Sequence, residues 1–356
     1  MAEDGTTQMT IGIDLGDRHS HYCVLDAEGE VSEEGKLKTS PEVLRQRFAS
    51  CPRTRIAIEA STHSPWVWSL LNELGHEVLV ANPRKLRMIF TNDSKTDRFD
   101  ASQLARVARL DPQLLRPIQH RGPRARADLG VLRSRDILVR TRAHLVTHVR
   151  GSVKSFGARL SGCSTSAFSR RAARQVPKEL RLALIPVLRT IEDLSARITR
   201  YDRRIEQMCR ERYPETQVLR QVNGVGAVTS LTYVLKLEDP RRFKSRSVGA
   251  YLGLRPKKKQ SGEHDPELHI SRAGDRDLRR LLVQSAQYIL GPFGTDSDLR
   301  RFGETIASRG GKVAKRRAVV AVARKLAVLL HSLWLTGEVY EPLRTAQPQR
   351  CRSQPA

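Results

Sequence analysis

The chain has 356 residues, of which 63 are lysine or arginine and 38 are aspartate or glutamate, so its formal charge at pH 7 is +25. This length predicts two domains or three, and such a basic excess is typical of proteins that bind nucleic acid or an anionic membrane surface. No run of 18 apolar residues is present and the first ten residues are polar, which argues against a membrane protein or a targeting peptide. The five cysteines form no C-x-x-C pair, so neither a disulfide framework nor a zinc site is supported, and a reducing cytoplasm fits.

The charge is distributed in blocks. Residues 1–34 contain nine acidic side chains and one arginine, whereas residues 116–181 contain sixteen basic and three acidic side chains. Residues 300–325 contain nine basic side chains and one acidic one. Many of these cations are expected on solvated helix faces, but ordinary surfaces mix both signs. An acidic start followed by basic blocks therefore indicates a catalytic domain with segments that hold nucleic acid.

Roughly the first 110 residues alternate between strand and helix patterns, which predicts an α/β domain. The first two strands are expected to form a hairpin. Helices are expected after Ser40, which is a suitable N-cap, and between Glu59 and Gly75. The predicted strands lie at 10–15, 21–25, 31–37, 55–59 and 76–81.

Two long segments after Pro117 are rich in arginine and compatible with helix, at residues 124–160 and 178–212. Apolar residues recur in them at helical spacing, which predicts a helical connector, with a coiled coil as one form of it. A loop is expected at 161–169. The residues with helical spacing are Leu129, Leu132 and Ile137 in the first segment and Leu194, Ile198 and Ile205 in the second.

The region from Leu219 onward starts with Q-V-N-G-V-G, in which Gly224 and Gly226 form a Gly-x-Gly turn. This pattern is typical of a helix-hairpin-helix, in which backbone amides at a helix N-terminus contact a phosphate, although such turns are also common elsewhere. An amphipathic helix at R-D-L-R-R-L-L-V-Q-S-A and a very apolar helix at 314–335 are expected next. Residues 341–356 are mostly polar and are predicted to be disordered.

Four acidic residues from separate segments form the strongest functional pattern. Asp14 in I-G-I-D-L-G and Glu59 in I-A-I-E-A-S each end an apolar strand. Asp97 and Asp100 lie three residues apart where a helix begins, which puts both carboxylates on one face. Carboxylates suit Mg²⁺, and Mg²⁺ beside a basic surface suits phosphodiester chemistry. Lys95 is a candidate for orienting phosphate, or an ordinary surface lysine.

Each of these acids also has an ordinary interpretation. Asp14 could be a turn residue at a hairpin end, or the first phosphate-loop aspartate of an actin-like sugar kinase. The kinase needs a later aspartate before a Gly-Gly-Thr-like loop, and the sequence has none. Asp97 and Asp100 could be a helix cap and an acid favoured by the helix dipole. Glu59 shifts the balance toward a metal site, because strand-end acids that converge on a helix face can coordinate one or two ions.

Ser261 lies in the polar segment K-K-K-Q-S-G. Such Ser-Gly pairs are usually turns, but a serine framed by cations is what a nucleophile attacking a phosphodiester needs. The cations would neutralise the scissile phosphate and the charge that develops on it. His264 and His269 could act as acid or base, or be incidental loop residues. The basic residues around this serine are Arg255, Lys257, Lys258, Lys259 and Arg272.

Taken together and in this order, these segments resemble the DEDD transposases of the insertion sequence 110 family, the bridge-RNA-guided serine recombinases. The resemblance covers nearly the whole chain, and any one motif alone would be weak. It rests on G-I-D-L-G, I-E-A-S, K-T-D-R-F-D-A, the Arg-rich middle, N-G-V-G-A-V-T-S, and Y-L-G-L-R-P-K-K-K-Q-S-G with the helix S-R-A-G-D-R-D-L-R-R-L-L-V-Q that follows.

The resemblance implies a fold of α/β plus all-α type. Residues 8–115 would form an RNase H-like (RuvC-like) DEDD catalytic domain, and residues 120–215 the Arg-rich helical connector. Residues 216–340 would form a mostly helical transposase domain that carries the serine site and a helix-hairpin-helix-like element. Residues 341–356 would be a disordered tail.

The resemblance also implies the roles of the site residues. The four acids match the family's magnesium ligands, and Ser261 matches the serine that forms a covalent phosphoserine link to DNA. Lys95, Gly224, Gly226 and the basic residues around Ser261 would contact nucleic acid. The implied partners are double-stranded DNA at the element ends and target, a structured guide RNA that pairs with both, and further copies of the chain. The implied location is the bacterial cytoplasm, at the nucleoid and not at a membrane.

Two departures from the family pattern are present. Glu59 is followed by Ala-Ser-Thr where Ala-Thr-Gly or Ala-Ser-Gly is usual, and Asn223 stands where Pro-Gly-x-Gly begins with proline. Two alternative functions also stay open. One is a RuvC-like nuclease that hydrolyses structured DNA with two metal ions, in which Ser261 is only a turn residue. The other is a non-enzymatic nucleic-acid-binding protein.

Overall fold

The computed structural model describes residues 9–83, 96–259, 261 and 268–344. By its internal contacts the chain divides into two compact units, Met1–Gly122 and Pro123–Ala356. The described part of the first unit combines a β-sheet with helices, and that of the second is dominated by helices. The prediction of an α/β N-terminal region followed by a helical remainder is therefore confirmed.

The sheet of the first unit is mixed. Its strands are Thr10–Asp14 (β1), His19–Leu25 (β2), Val31–Lys38 (β3), Arg55–Glu59 (β4) and Glu77–Ala81 (β5). They lie in the order β3-β2-β1-β4-β5. β1 and β3 both pair antiparallel with β2, so the predicted hairpin is confirmed. β4 runs parallel to β1, and β5 runs parallel to β4.

Helices cover both faces of this sheet. Successive side chains of β1 and β4 point to opposite sides, and they are apolar on both sides, so each face needs a covering layer. Pro41–Phe48 (α1) and Ser64–Glu73 (α2) pack on one face, in a core that includes Ile11, Ile13, Ile56 and Ile58. Asp97–Leu110 (α3) packs on the other face. Buried residues of α3 meet strand residues there, namely Ala57, Ala81, Cys23 and Leu25.

Gly12 lets α3 lie directly on β1. A Cβ atom at this position would sit 2.0 Å from the carbonyl oxygen of Ala101 and 2.5 Å from the amide nitrogen of Ala105. Both of these atoms belong to the helix backbone, which cannot move aside alone. A side chain at position 12 would therefore push the whole helix away from the sheet.

Side-chain caps fix where α1 and α3 begin. Ser40 Oγ accepts a hydrogen bond from the Val43 amide at 3.5 Å, which confirms the predicted cap. Thr96 Oγ1 accepts from the Phe99 amide at 3.2 Å, and Thr96 is the N-cap of α3. Neither Asp97 nor Asp100 is therefore the N-cap of α3. Of the ordinary interpretation of these two acids, only the favourable interaction with the helix dipole remains.

Two long helices open the second unit and run antiparallel. They are Pro123–Lys154 (α4) and Arg181–Glu211 (α6), and Phe168–Gln175 (α5) packs between their far ends. Arg135 Nε lies 2.5 Å from Asp202 Oδ1, and Arg142 Nη1 donates to Ser195 Oγ at 3.2 Å. A step of seven residues along α4 thus matches a step of seven back along α6, the heptad spacing of coiled coils. The prediction that these two segments are helical is confirmed, whereas a separate connector domain and supercoiling of the pair stay predictions.

The seam between α4 and α6 is apolar at its far end and polar in the middle. Val149, Val153, Leu184 and Leu188 form one buried cluster. Burial and the neighbouring Arg135 guanidinium lower the pKa of Arg142. Ile137, predicted on the apolar face, is instead 52% exposed, because the seam passes through the residues on either side of it.

A buried carboxylate anchors the near end of this helix pair. Asp128, which is 5% exposed, accepts from Arg212 Nη2 at 2.5 Å and from Tyr213 Oη at 2.6 Å. Burial and the adjacent carboxylate raise the pKa of Tyr213 to about 12. The Arg212 guanidinium therefore neutralises the buried Asp128 carboxylate, and the Tyr213 phenol keeps its proton and donates it in a hydrogen bond.

The described helices that follow form the C-terminal core. They are Glu215–Leu219 (α7), Ala227–Leu237 (α8), Ser245–Tyr251 (α9), Arg276–Leu290 (α10), Asp298–Ala307 (α11) and Gly311–Thr336 (α12). α12 is long and apolar enough to cross a membrane by composition alone, yet it supplies much of the core, from Val322 to Leu333. Its buried His331 has Nδ1 2.9 Å from Ser245 Oγ and Nε2 2.7 Å from the carbonyl oxygen of Pro240. We assign α12 as the central helix of this core. Of the segment predicted to be disordered, residues 341–344 are described, and the Pro342 carbonyl oxygen accepts from the Asp298 amide at 2.7 Å.

We predict that Gly12→Ala lowers the free energy of unfolding of the first unit by about 3 kcal/mol, because the new methyl group collides with the backbone of α3. Calorimetric unfolding measures this change. Gly130→Ala is the control, since Gly130 lies inside α4 with open space around its Cα, and it is expected to stabilise by about 0.5–1 kcal/mol. Equal melting temperatures for Gly12→Ala and the unchanged chain would contradict the close packing.

We predict that the Arg135–Asp202 pair sets helix pairing more than stability. Asp202→Ala should cost about 1 kcal/mol, a modest loss because both side chains are partly exposed. The double substitution Arg135→Leu with Asp202→Leu should return stability to the original value or above it, because an apolar layer replaces the ion pair. Thermal unfolding of the three proteins checks this order. A double variant less stable than the single one would show that the pair itself contributes the stability.

Candidate active site

Asp14 and Glu59 end neighbouring parallel strands. The register of β1 and β4 pairs Ile13 with Ile58, so the next residues along, Asp14 and Glu59, lie side by side at the same edge of the sheet. Gly12 and Ala57 face α3, and side chains two residues apart in a strand share a face. Both carboxylates therefore lie on the side of the sheet that α3 covers.

The direction of α3 brings its first turn to this edge. Arg109, in the last turn, donates from Nη1 to the carbonyl oxygen of Asp26 at 3.0 Å. Asp26 follows β2, and because β2 is antiparallel to β1, this position lies at the start of β1. α3 therefore runs opposite to β1, and its N-terminus lies toward the end of β1, where Asp14 is.

The close contact at Gly12 shows how far along β1 the first turn of α3 lies. Gly12 lies beneath Ala101 and Ala105. The two residues from Gly12 to Asp14 span about 6.7 Å of strand, which corresponds to about 4.5 residues of helix. Asp14 consequently lies level with the first turn of α3, which contains Asp97 and Asp100.

Asp97 and Asp100 continue the face of α3 that contacts the sheet. Ala101 and Leu104, four residues further along, are both buried, and residues four apart share a helix face. Asp97 is exposed and Asp100 half-buried, since this turn extends past the sheet edge. We call Asp14, Glu59, Asp97 and Asp100 the acidic edge, and the structure brings all four to one end of the first unit.

The donor chemistry of the acidic edge fits Mg²⁺, which prefers carboxylate oxygens. In the described part of the chain, however, no group of three or more His, Cys, Asp or Glu side chains is already placed to hold a metal ion. Asp14, Glu59 and Asp100 each make an interaction within the protein. The predicted phosphate contact of Lys95 lies outside the described residues.

A histidine and a further aspartate, which sequence reasoning missed, lie just after the same two strands. His63 Nε2 is 3.4 Å from Asp17 Oδ1, and Trp66 Nε1 donates to His63 Nδ1 at 3.1 Å. Because Nδ1 accepts from the indole, the neutral ring carries its proton on Nε2, toward the aspartate. The signal in the sequence was the position of both residues three or four places beyond a strand-end acid.

The departure after Glu59 has a structural explanation. The Ser61 amide donates to Ser64 Oγ at 3.0 Å, and the Ser64 amide donates to Ser61 Oγ at 3.3 Å. Reciprocal bonds of this kind fix the entry to a helix. Thr62, which stands where the family pattern has a glycine, therefore lies between two serines whose side chains hold the turn into α2.

Ser261 belongs to a two-stranded segment in the second unit, which we call the serine ribbon (residues 253–259, 261 and 268–272). Pro256 and Ile270 form an antiparallel bridge. The Lys257 amide donates to the His269 carbonyl oxygen at 3.0 Å, and the Ser271 amide donates to the Arg255 carbonyl oxygen at 2.8 Å. The chain thus runs out and back, and Ser261, which is exposed, is itself a β-bridge residue.

The base of the serine ribbon is packed backbone against backbone. A Cβ atom at Gly253 would lie 2.6 Å from the Ala273 amide nitrogen, and one at Gly274 would lie 2.1 Å from the Tyr251 carbonyl oxygen. Asp275 caps α10 by accepting from the Leu278 amide at 2.9 Å. It also pairs with the buried Lys236 at 2.5 Å. These contacts fix the base of the ribbon on the C-terminal core.

The predicted cations around Ser261 are all exposed on this ribbon. Arg272 has φ of 54°, in the left-handed region that non-glycine residues rarely adopt. Among the described residues, no His, Asp or Glu side chain hydrogen-bonds Ser261, so its general base is not assigned. His269 contributes its carbonyl oxygen to the ribbon, and His264 lies outside the described residues. The exposed cations are Arg255, Lys257, Lys258, Lys259 and Arg272.

The Gly-x-Gly turn connects α7 to α8. Gly224 has φ of 90°, and Gly226 is the exposed N-cap of α8. Asn223, the second departure from the family pattern, donates from Nδ2 to Thr295 Oγ1 at 3.0 Å and ties the turn to the loop before α11. The turn therefore lies between two helices, and both the helix-hairpin-helix and the phosphate contact of Gly224 and Gly226 stay predictions.

Two family models match the chain. A DEDD transposase model of the IS110 group matches residues 11–157, which include the acidic edge. A second model, described as transposase of the IS116/IS110/IS902 family, matches residues 216–302, which include Ser261 and its cations.

Curated relatives agree with these models. The chain is 28% identical to a probable family 20 transposase of Pseudomonas aeruginosa, over 93% of this chain and 98% of the relative. It is 27% identical to the transposase for insertion sequence element IS1328 of Yersinia enterocolitica, with the same coverage. It is 30% identical to the putative transposase y4pF/y4sB of Sinorhizobium fredii, over 86% of this chain and 79% of the relative. The chain therefore belongs to the IS110 family of insertion-sequence transposases, enzymes that cut and rejoin DNA.

Proposed function

We propose that this transposase exchanges DNA strands through a covalent phosphoserine intermediate at Ser261, with magnesium held at the acidic edge and a structured guide RNA that selects the sites. The observation that carries the proposal is the exposed Ser261, which lies on a ribbon with five exposed cations and a base packed backbone against backbone. A phosphodiester that reaches this serine meets positive charge on the same ribbon.

The serine step conserves phosphodiester bonds. Ser261 Oγ would form a bond to phosphorus while the bond from phosphorus to the leaving strand oxygen breaks. The serine proton passes to solvent, and the leaving oxygen takes up a proton. A hydroxyl of the second strand then displaces Ser261 by the reverse of this step. One ester replaces another throughout, so no ATP is consumed, in agreement with a sequence that has no phosphate-binding P-loop.

Asp14, Glu59, Asp97 and Asp100 would hold the magnesium. The bound ion would stabilise negative charge on the reacting phosphate. Glu59 and Asp14 are positioned by strand pairing, and the two α3 carboxylates by helix packing at Gly12. In family members the acidic domain of one protomer is thought to complete the serine site of another, so we propose a homo-oligomer as the active form.

The long helix pair would hold nucleic acid backbone without reading its sequence. α6 carries exposed arginines along most of its length, and such cations bind phosphate of any sequence. Aromatic residues make up only 5% of the chain, which disfavours base stacking as the source of specificity. Base pairing with a guide RNA would then select the sites, within the bacterial cytoplasm at the nucleoid. The exposed arginines of α6 are Arg181, Arg189, Arg197, Arg200, Arg203, Arg204 and Arg210.

A metal-dependent nuclease of RuvC type is the second candidate. The observation in its favour is the acidic edge itself, together with the β3-β2-β1-β4-β5 order of three antiparallel strands followed by two parallel ones. In this alternative, metal ions held by the four carboxylates would hydrolyse DNA, and Ser261 would be only a turn residue. Membership in a transposase family argues against the non-enzymatic alternative.

We predict that Ser261→Ala abolishes protein-linked DNA. The protein, RNA transcribed from the flank of its own element, Mg²⁺ and end-labelled donor DNA are incubated, and a denaturing gel separates labelled DNA that carries protein. Ser271→Ala is the matched control, because Ser271 lies on the same ribbon and contributes its backbone to the pairing. Cleavage to free ends that survives Ser261→Ala, without any adduct, would replace the serine mechanism by the nuclease.

We predict that Asp14→Asn and Asp97→Asn each reduce DNA cleavage about 100-fold, because a metal ligand is lost. Excess Mg²⁺ should restore part of the activity, and DNA binding measured by fluorescence anisotropy should not weaken. Glu73→Gln is the control, since Glu73 is an exposed carboxylate of the same unit that pairs with Arg45 at 3.4 Å. Full activity of both aspartate variants would remove the acidic edge from the mechanism.

A further inference from the structure

The start of α12 carries a compact group of exposed cations outside the serine ribbon and the long helix pair. Lys312, Lys315 and Arg316 lie on one face of the first two turns, since residues three and four apart are neighbours on a helix. Arg309 precedes them, and all four side chains are exposed. Within the described residues, none of the four forms an ion pair. We call Arg309, Lys312, Lys315 and Arg316 the α12 cation cluster.

Other cations of the same basic block have structural partners. Arg300 donates from Nη1 to the carbonyl oxygens of Ile289, Gly291 and Gly294, at 3.1, 2.8 and 2.8 Å. Arg301 forms two hydrogen bonds to Asp296. Lys325 lies over the Phe302 ring at 4.5 Å. These contacts explain those residues by folding alone, and they leave the α12 cation cluster unexplained.

The α12 cation cluster also opposes local helix stability. Cations in a first turn repel the positive end of the helix dipole, and like charges three or four residues apart repel each other. The N-cap is Gly310, which makes no side-chain hydrogen bond to the helix, and no acidic residue lies in the first turn. Four cations kept where they reduce stability indicate a ligand of opposite charge.

We propose that the α12 cation cluster binds the phosphate backbone of duplex DNA and forms a holding surface additional to the serine ribbon. The cluster consists of several cations that have no ion-pair partner among the described residues, and this chemistry fits a polyanion. Duplex DNA is the polyanion on which a transposase acts. The proposal depends on family membership and on these contacts, and it does not depend on the serine mechanism.

The test measures how DNA affinity varies with salt. A fluorescent 30-base-pair DNA duplex of random sequence is titrated with the full-length protein at several salt concentrations. The triple variant Lys312→Ala, Lys315→Ala and Arg316→Ala should reduce the slope of log affinity against log salt by roughly 2–3, because about 0.9 is lost for each phosphate contact. An unchanged slope would overturn the proposal.

The control removes the same charge from cations that already have partners. Arg242→Ala, Arg301→Ala and Arg344→Ala remove three arginines that pair with Glu238, Asp296 and Glu338. This variant should keep the original slope. If both triple variants reduce the slope equally, general charge and not the α12 cation cluster holds the DNA. If a hairpin RNA responds to the α12 variant and the DNA duplex does not, the surface binds RNA and the proposal fails.

A stability measurement separates binding from folding. Lys312→Glu puts an acid in the first turn of α12, so it should raise the melting temperature of the free protein while it weakens DNA binding. Changes of opposite sign would support a surface kept for binding. A lower melting temperature would show that the cation stabilises the fold, and would overturn the argument from local stability. Neither experiment measures strand exchange. A negative result would therefore contradict DNA binding by the α12 cation cluster and would leave the serine mechanism untouched.

Discussion

The parallel pairing of β1 with β4 is the constraint on which the acidic edge depends. The register puts Asp14 and Glu59 side by side, and the alternation of the strands turns both toward α3. Contact at Gly12 then sets the level of the first turn of α3, because no side chain separates the helix from the strand there. Four residues spread over nearly ninety positions of sequence thus reach one edge through one pairing and one close contact.

The sequence was informative wherever a local rule decides the structure. Ser40 was predicted as a cap because serine before a helix satisfies a free amide, and Asp14 and Glu59 were placed at strand ends by the apolar runs that precede them. The prediction that Ile137 lies on a buried helix face was wrong, because apolar spacing alone cannot tell which face of a helix meets its partner. The pairing of His63 with Asp17 was missed because it depends on strand register, which no single segment contains.

Two parts of the second unit depart from local stability rules in different ways. In the long helix pair, Arg135 and Asp202 occupy seam positions where apolar residues would pack better, yet they satisfy each other at 2.5 Å. At the start of α12 the cations have no such partner among the described residues. An unfavourable residue with an internal partner is explained by pairing specificity, whereas one without a partner needs an external ligand to explain it. This distinction separates structural charges from binding charges in a chain with 63 basic residues.

The polar layers between α4 and α6 fix how the two helices are aligned, and the alignment fixes how far the helix pair extends. A slip of one heptad in one direction would bring Asp202 opposite Asp128, two carboxylates in one layer, so the two helices have a single favourable alignment. Helices of 32 and 31 residues at 1.5 Å per residue extend about 47 Å. Exposed Lys154 and Arg159 lie at the far end of that span. Duplex DNA advances about 3.4 Å per base pair, so phosphates about 14 base pairs apart match the separation between the two ends of this helix pair.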